Sequence, residues 1–290
     1  MSSLRVRAFA KLTLSLRVLG VRADGFHELD ALTVSLNAPH DALAISLLDH
    51  DATEIELTGP GAAGVSADED NLATRAARLL LARASGVGAR ISLHKQIPAG
   101  AGLGGGSADA AAVLVGLDHL LQLGLPAVEL AALGATLGSD VPFCVSGGAA
   151  RMRGRGERIE PATIPALHVL VAVPPFAIST PAVYRAWDDL GGPIASRVVH
   201  APAGVGGLTN DLEAAAELVE PRLAPFRDGL EIAAGAPAIL AGSGSSCAVL
   251  SDDPAAAAAA CERVVAARIA ALCVVGVTRS SGVELVPEAP

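Results

Sequence analysis

The chain has 290 residues and a formal net charge of −9, from 21 basic and 30 acidic side chains. Apolar residues make up 51% and charged residues 18%, which excludes a disordered chain, and the lack of any dense Lys/Arg block argues against a surface for nucleic acid or for an anionic membrane. This length suits one large domain or two modest lobes.

The first part of the chain has the pattern of β-strands, because apolar residues recur at every second position. Leu4, Val6 and Ala8 share one face, and the pattern resumes over 12–18. A turn is predicted at 22–25, and further strands are predicted near 29–36, 42–48, 53–57 and 89–94. Helical spacing of the apolar residues predicts a helix over 71–84.

The rest of the chain mixes helices and strands. Helices are predicted at 108–121, 127–137, 179–190, 211–231 and 254–269, and strands at 166–173, 238–241, 247–250 and 272–279. This order predicts an α+β fold with two lobes, which we place at residues 1–160 and 161–290.

A loop of unusual composition precedes the predicted helix at 108–121. Five of the seven residues from Gly100 to Gly106 are glycines. Because glycine costs conformational entropy on folding, this density indicates a backbone that must approach a ligand closely. Ser107 would cap the helix, whose unpaired N–H groups and dipole would then form a phosphate site. A flexible loop without a ligand is the alternative.

Two common phosphate-binding motifs do not account for this loop. Gly100, Gly102 and Gly105 satisfy G-x-G-x-x-G, but several strands precede the loop, whereas a dinucleotide fold places it after the first strand. The P-loop motif fails because the chain contains no Gly-Lys pair. The stretch from Pro98 to Ala108 instead resembles the ATP-phosphate loop of the GHMP kinases.

Further blocks resemble one family within the GHMP kinases, the 4-diphosphocytidyl-2-C-methyl-D-erythritol kinases. These blocks stand at 10–14, 22–27, 137–143, 178–184 and 241–245. The resemblance implies an N-terminal mixed β-sheet lobe, a C-terminal ferredoxin-like α+β lobe and an active site in the cleft between them. It also implies a kinase that uses ATP and Mg²⁺ to phosphorylate the 2-hydroxyl of a cytidyl diphosphate sugar alcohol in non-mevalonate isoprenoid biosynthesis.

The resemblance assigns residues to the two ends of this cleft. For ATP it implies Asn71, Pro98, Gly100, Gly102, Leu103, Gly104, Gly105, Gly106, Ser107 and Ala108, of which Ser107 would contact phosphate or Mg²⁺. For the acceptor it implies Thr13, Phe26, His27, Thr180, Tyr184, Gly242 and Gly244. Phe26 and Tyr184 would enclose the cytosine ring and His27 would hydrogen-bond it, while core packing is the alternative for the two aromatic residues.

Lys11 and Asp140 are the predicted catalytic pair. Lys11 is one of only two lysines against 19 arginines, and it stands in an apolar strand, where a compact charge suits close approach to phosphate. Asp140 lies between Ser139 and Pro142, at the junction of a helix and a turn. In the family the matching Asp accepts the proton of the acceptor hydroxyl. A surface lysine and a plain turn residue are the alternatives.

Two positions depart from the family pattern. Thr13 stands where Asn is usual, so it keeps a hydrogen-bonding group with a shorter reach. Phe26 replaces the usual Tyr, so it keeps the stacking face and loses the hydroxyl.

The four cysteines indicate reduced thiols in a cytoplasmic protein. Cys144, Cys247, Cys261 and Cys273 have no CxxC spacing and no accompanying His cluster, which argues against a zinc site or a disulfide framework. We expect a small-molecule substrate, no nucleic-acid or membrane partner, and a monomer or homodimer. The alternatives are a GHMP kinase with a different alcohol acceptor and a catalytically silent nucleotide-binding module.

Overall fold

The computed structural model of the protein describes residues 2–192 and 196–286. The strands are β1 (Ser3–Val21), β2 (His27–Leu48), β3 (Thr53–Thr58), β4 (Gly88–His94), β5 (Ala149–Gly154), β6 (Arg158–Pro161), β7 (His168–Val173), β8 (Val199–His200), β9 (Gly207–Leu208), β10 (Ala238–Leu240), β11 (Cys247–Ser251), β12 (Leu272–Arg279) and β13 (Val283–Val286). The helices are α1 (Leu72–Leu81), α2 (Gly105–Leu121), α3 (Ala127–Ala135), α4 (Val141–Ser146), α5 (Thr180–Asp189), α6 (Glu213–Val219), α7 (Leu223–Ala234) and α8 (Pro254–Ala266). The predicted α+β class is confirmed.

β1 and β2 form one long antiparallel hairpin in place of the shorter strands predicted from the sequence. The pairing register shifts between Phe9 and Lys11 and again between Thr13 and Ser15. The even-numbered side chains of β1 are apolar throughout, yet those at 6, 8, 16 and 18 belong to one apolar cluster and those at 10, 12 and 14 to another. The bulges therefore turn Lys11 and Thr13 toward the cleft described below.

α2 is the central helix of the first lobe. It packs against α1, β1 and β2, and its small residues Ala110, Ala111 and Ala112 are fully buried. A helix that is apolar on most of its surface belongs in a core. Its N-terminus is thereby held at one end of the cleft.

The second lobe is built on an antiparallel sheet with the order β10-β11-β7-β12. Taken in chain order, β7, α5 to α7, β10, β11, α8 and β12 give the arrangement of a ferredoxin-like unit. β12 also pairs with β2 through Thr278 and Arg279, so it joins this sheet to that of the first lobe.

Five strands of the structure were not predicted, namely β5, β6, β8, β9 and β13. β5 pairs with β2 and with β6, and β13 pairs with β1 from Val286 opposite Arg5 to Val283 opposite Ala8. These strands are short, and β5 and β6 carry arginine and glutamate, so their period-two signal is weak. The division between residues 160 and 161 stays a prediction.

Within residues 2–192 and 196–286, every helix is too short or too polar to cross a lipid bilayer.

Candidate active site

A cleft of about 960 Å³ opens between the two lobes, beside the N-terminus of α2. The predicted residues that line it are Lys11, Thr13, Phe26, His27, Asn71, Pro98, Gly100, Gly102, Leu103, Gly104, Gly105, Gly106, Ser107, Asp140, Thr180, Tyr184 and Gly242. Ala108 and Gly244 do not line it. Ala108 is fully buried, and Gly244 packs behind the glycine loop.

The glycine loop runs into α2 three residues earlier than the sequence predicts. Gly104 is the N-cap, with φ +69°, and the first bond into the helix runs from the amide of Ala108 to the carbonyl of Gly104 at 2.9 Å. Ser107 therefore lies inside the first turn, and the predicted N-cap at Ser107 is wrong. The amides of residues 105–107 precede that first bond and have no acceptor within the helix. They can therefore donate to an anion.

The density of glycine in this loop reflects close contact with neighbouring backbone and side-chain atoms. A Cβ atom on Gly104 would lie 2.7 Å from Cγ of Lys11, and one on Gly102 would lie 2.3 Å from the carbonyl oxygen of Ala241. The amide of Lys11 donates to the carbonyl of Leu103 (3.0 Å). The loop is thus pressed between β1 and the turn that joins β10 to β11.

Lys11 and Asp140 meet inside the cleft. Nζ of Lys11 lies 3.4 Å from Oδ2 of Asp140 and donates to Oγ1 of Thr13 (3.3 Å). Lys11 is only 8% exposed, which excludes the surface lysine that the sequence left open. Asp140 stands directly before α4, with 37% of its side chain exposed. A carboxylate beside a buried ammonium is thus available to a ligand in the cleft.

Aromatic and charged side chains gather at the end of the cleft away from the glycine loop. The ring of His27 lies 4.6 Å from that of Tyr184, and Nε2 of His27 lies 2.8 Å from Oδ1 of Asp188. Burial, with a smaller contribution from Asp140, raises the pKa of the Tyr184 hydroxyl. Phe26 is 49% exposed, and the guanidinium of Arg155 lies 5.1 Å above its ring. An exposed ring of this kind offers a face for stacking.

The turn between β10 and β11 forms the wall beside Lys11, the lysine of the predicted catalytic pair. A Cβ atom on Gly242 would lie 3.6 Å from Nζ of Lys11, and Oγ of Ser243 lies 2.8 Å from Oγ1 of Thr180. Nδ2 of Asn210 donates to the carbonyls of Leu240 (3.0 Å) and Gly242 (2.7 Å). Asn210 thereby fixes the turn, a role that its sequence context did not indicate.

Asn71 caps α1, as its position after three acidic residues predicts. Oδ1 of Asn71 accepts from the amide of Ala73 (2.9 Å), while Nδ2 donates to the carbonyl of Ser66 (2.7 Å). Its contact with adenine stays a prediction.

Sequence reasoning missed a buried charged cluster under the glycine loop. Nζ of Lys95 lies 2.6 Å from Oδ2 of Asp41 and 2.5 Å from Oδ2 of Asp109, and the three residues are 2%, 0% and 3% exposed. Burial and the neighbouring Asp41 raise the pKa of Asp109. The sequence did contain a signal for this cluster, because charged residues stand at positions 41 and 109, where the apolar pattern predicts residues of the core.

Two arginines in the part of the cleft predicted for the acceptor were also missed. Arg155 and Arg185 line the cleft and form no ion pair with any residue in the described part of the chain, whereas Arg151, Arg153 and Arg158 nearby are all paired with acidic side chains. Unpaired guanidinium groups in a cleft suit an anionic ligand.

The cysteines and acidic residues suggest no metal site. Residues 2–192 and 196–286 contain no group of three or more His, Cys, Asp or Glu side chains that could hold a metal ion. All four cysteines are free thiols, and burial raises the pKa of Cys247 to about 12.

Comparison with known proteins places these features in a family. A model described as the GHMP kinases N terminal domain matches residues 71–148. A 4-diphosphocytidyl-2-C-methyl-D-erythritol kinase of Moorella thermoacetica is 41% identical over 257 residues, which cover 84% of this chain and 88% of that protein. One of Salinispora arenicola is 43% identical over 280 residues, or 90% of this chain and 86% of that protein.

Solved structures agree with the sequence comparison. A crystal structure of a 4-(cytidine 5'-diphospho)-2C-methyl-D-erythritol kinase has a TM-score of 0.77 and 33% identity, over 94% of this chain and 98% of that one. A homoserine kinase from Cytophaga hutchinsonii, 21% identical with a TM-score of 0.71, covers 99% of this chain and 98% of its own, and shares the fold.

Proposed function

The chain belongs to the 4-diphosphocytidyl-2-C-methyl-D-erythritol kinase family, and on that premise we propose that it transfers the γ-phosphoryl group of ATP to the 2-hydroxyl of 4-diphosphocytidyl-2-C-methyl-D-erythritol. It is an ATP-dependent kinase of non-mevalonate isoprenoid biosynthesis. The observation that carries this function is the 3.4 Å contact between Lys11 and Asp140, in the same cleft as the glycine loop.

The glycine loop is proposed to hold the phosphates of ATP. The amides of residues 105–107 and the positive end of the α2 dipole attract the phosphate oxygens, which sets the γ-phosphate facing the catalytic pair. The Lys11 ammonium then stabilises the charge of the transferring group. A donor of this kind contributes about 3 kcal/mol to the transition state.

Asp140 is proposed to orient the acceptor hydroxyl and to take its proton. A positioned general base contributes about 10²–10⁴ in rate, and in a loose phosphoryl-transfer transition state part of this comes from orientation. The cytosine would stack on Phe26 and Tyr184, while Asp188 fixes the ring of His27 for a hydrogen bond to the base. The unpaired Arg155 and Arg185 would face the diphosphate.

Mg²⁺ is proposed to enter on the phosphates of ATP. The hydroxyl of Ser107 lines the cleft and makes no hydrogen bond with residues 2–192 or 196–286, so it fits as a side-chain ligand. When bound, the ion neutralises charge on the transferring phosphates. We also propose that the enzyme works in the cytoplasm, which four free thiols support, as a monomer or homodimer.

A phosphotransfer assay tests the proposed function. The protein is incubated with ATP and 4-diphosphocytidyl-2-C-methyl-D-erythritol, and the product is weighed by mass spectrometry. One added phosphoryl group, and inhibition by CDP through competition with the acceptor, would support the proposal. Transfer to another alcohol without inhibition by CDP would indicate a different GHMP kinase. Binding of ATP with no acceptor phosphorylated would indicate a silent module.

A further inference from the structure

Three hydrogen bonds join the buried carboxylate of Asp41 to the segment that enters the glycine loop. Oδ1 accepts from the amides of Gln96 (2.5 Å) and Ile97 (2.8 Å), and Oδ2 accepts from Nζ of Lys95 (2.6 Å). A buried carboxylate is costly unless charge and hydrogen bonds compensate it, and here three consecutive residues do so. Asp41 is fully buried and does not line the cleft.

This segment is also the support of the first turn of α2. A Cβ atom on Gly105 would lie 2.9 Å from Cγ2 of Ile97, so the two residues are in direct contact. Nζ of Lys95 reaches Oδ2 of Asp109, one turn further along α2 (2.5 Å). Asp41 is therefore connected to the N-terminus of α2 in two ways, through Ile97 and through Lys95.

We propose that Asp41 is a positioning residue for the nucleotide, which holds the entrance of the glycine loop and the first turn of α2 in the conformation that receives the phosphates of ATP. The proposal rests on the proposed function, because ATP is assigned to this loop. Asp41 acts through backbone amides and touches no substrate. Its removal should weaken ATP binding and leave the acceptor end unchanged.

Two matched substitutions distinguish a positioning role of Asp41 from an effect of its negative charge. Asp41→Asn and Asp109→Asn each remove one carboxylate that contacts the same ammonium. An amide at position 41 must point its NH₂ group either at the loop amides or at Lys95, so donor faces donor, whereas an amide oxygen at position 109 can still accept from Lys95.

The expected result is an ATP effect confined to position 41. Asp41→Asn should raise the KM and the Kd of ATP about tenfold or more, with the KM of the acceptor within about twofold. Asp109→Asn, which keeps an acceptor for Lys95, should raise the KM of ATP clearly less than Asp41→Asn does. Equal effects of the two variants on ATP would show that the cluster acts through its charge, and would overturn the proposal.

A third variant controls for lost stability. Asp211 is also a buried aspartate that accepts from a backbone amide, that of Val18 (3.0 Å), but it does not line the cleft. Asp211→Asn should lower the melting temperature and leave the KM of ATP unchanged. If Asp41→Asn does only the same, the role of Asp41 is structural and the proposal fails.

The wild-type protein gives a test that needs neither folding of a variant nor binding of ATP. Without nucleotide, the amides of Gln96 and Ile97 should already be protected from hydrogen exchange, because Asp41 accepts from both. Fast exchange of these amides in the nucleotide-free protein would overturn the proposal. Since this measurement is made without ATP, failure of the proposed function is seen separately, in the phosphotransfer assay.

Discussion

At the scale of single residues, Asp140 gives the most direct expectation. Asp140→Asn keeps the volume of the side chain and removes its ability to take a proton, so kcat should fall by about 10²–10⁴. The Kd of ATP should stay within about threefold, because the glycine loop does not depend on Asp140. Acceptor-dependent ADP release gives kcat, and calorimetry gives the Kd. Unchanged turnover would remove Asp140 from the mechanism.

Phe26 tests the acceptor end. Phe26→Ala removes a half-exposed ring, and because stacking contributes about 1–3 kcal/mol per base, the KM of the acceptor should rise about 5-fold to 100-fold. Phe26→Tyr, which restores the usual family residue, is the matched control and should keep this KM within about threefold. A rise in the KM of ATP for Phe26→Ala would contradict the assignment.

The thiols give a pH-dependent expectation. Burial raises the pKa of Cys247 and, with a contribution from the adjacent Cys261 thiol, that of Cys273 to about 12, and it also raises the pKa of Cys144. A raised pKa means less thiolate at a given pH, so these three thiols should react slowly with iodoacetamide at pH 8 and faster only as the pH approaches 12. Peptide mass spectrometry should find Cys261 labelled first.

The control for this labelling is the denatured chain. In guanidinium chloride all four cysteines should react at similar rates. Labelling of Cys247 as fast as Cys261 in the folded protein would contradict the buried environment of Cys247.

Single residues also show where sequence reasoning ends. Lys11 and Asp140 could be paired because each lies in a family motif. Asp41, Lys95 and Asp109 could not, since their contacts depend on how β2, β4 and α2 pack, and neither of the two ion pairs is local in sequence. From the sequence alone, Asp188 is interpreted as a solvent-exposed helix residue. Only the position of α5 in the fold shows that it contacts His27.

At the scale of elements, two glycines of the loop should behave differently. Gly102 has φ +78° and no space for a Cβ atom, so Gly102→Ala should destabilise the fold by about 1–3 kcal/mol and raise the KM of ATP. Gly106 lies inside α2, where a Cβ atom would meet only Cδ1 of Leu72 at 3.6 Å.

Gly106→Ala is therefore the matched control for Gly102→Ala. It should leave the free energy of unfolding unchanged or raise it by up to about 1 kcal/mol. Urea unfolding measures both variants. Similar losses for the two would show that the contact of Gly102 with the neighbouring turn is unimportant.

The course of β1 and the start of α2 depend on backbone features that the apolar pattern does not show. The even-numbered apolar residues of β1 suggest one buried face, but the two bulges distribute them over two cores. Ser107 has the chemistry of an N-cap, yet Gly104 ends the loop in a left-handed conformation that glycine adopts most easily, so the helix begins before Ser107.

At the scale of the whole molecule, β13 lies beside β1 although it comes from the far end of the described chain. A chain that ends at Gly282 should lose this pairing, expose the edge of β1, melt at a lower temperature and aggregate more readily. A chain that ends at Val286 keeps β13, is the control and should melt at a higher temperature than the chain that ends at Gly282. Equal melting temperatures would contradict a supporting role for β13.

The same pairing bears on the proposed division between residues 160 and 161. β12 and β13 lie after residue 161 but complete the sheet of the first lobe. The proposed division therefore separates two parts of the sequence whose strands share one sheet. Residues 1–160 expressed alone should therefore not fold stably, which circular dichroism and urea unfolding would measure. A cooperative unfolding transition for that fragment would show two independent units.

The contact between Gly102 and Gly244 has a consequence for motion. A Cβ atom on Gly244 would lie 2.2 Å from Cα of Gly102, so the glycine loop proposed for ATP and the turn beside the proposed acceptor site are in direct backbone contact. The distance between the two proposed binding sites is therefore already set before the substrates bind. Small-angle X-ray scattering should accordingly give nearly the same radius of gyration with and without both substrates.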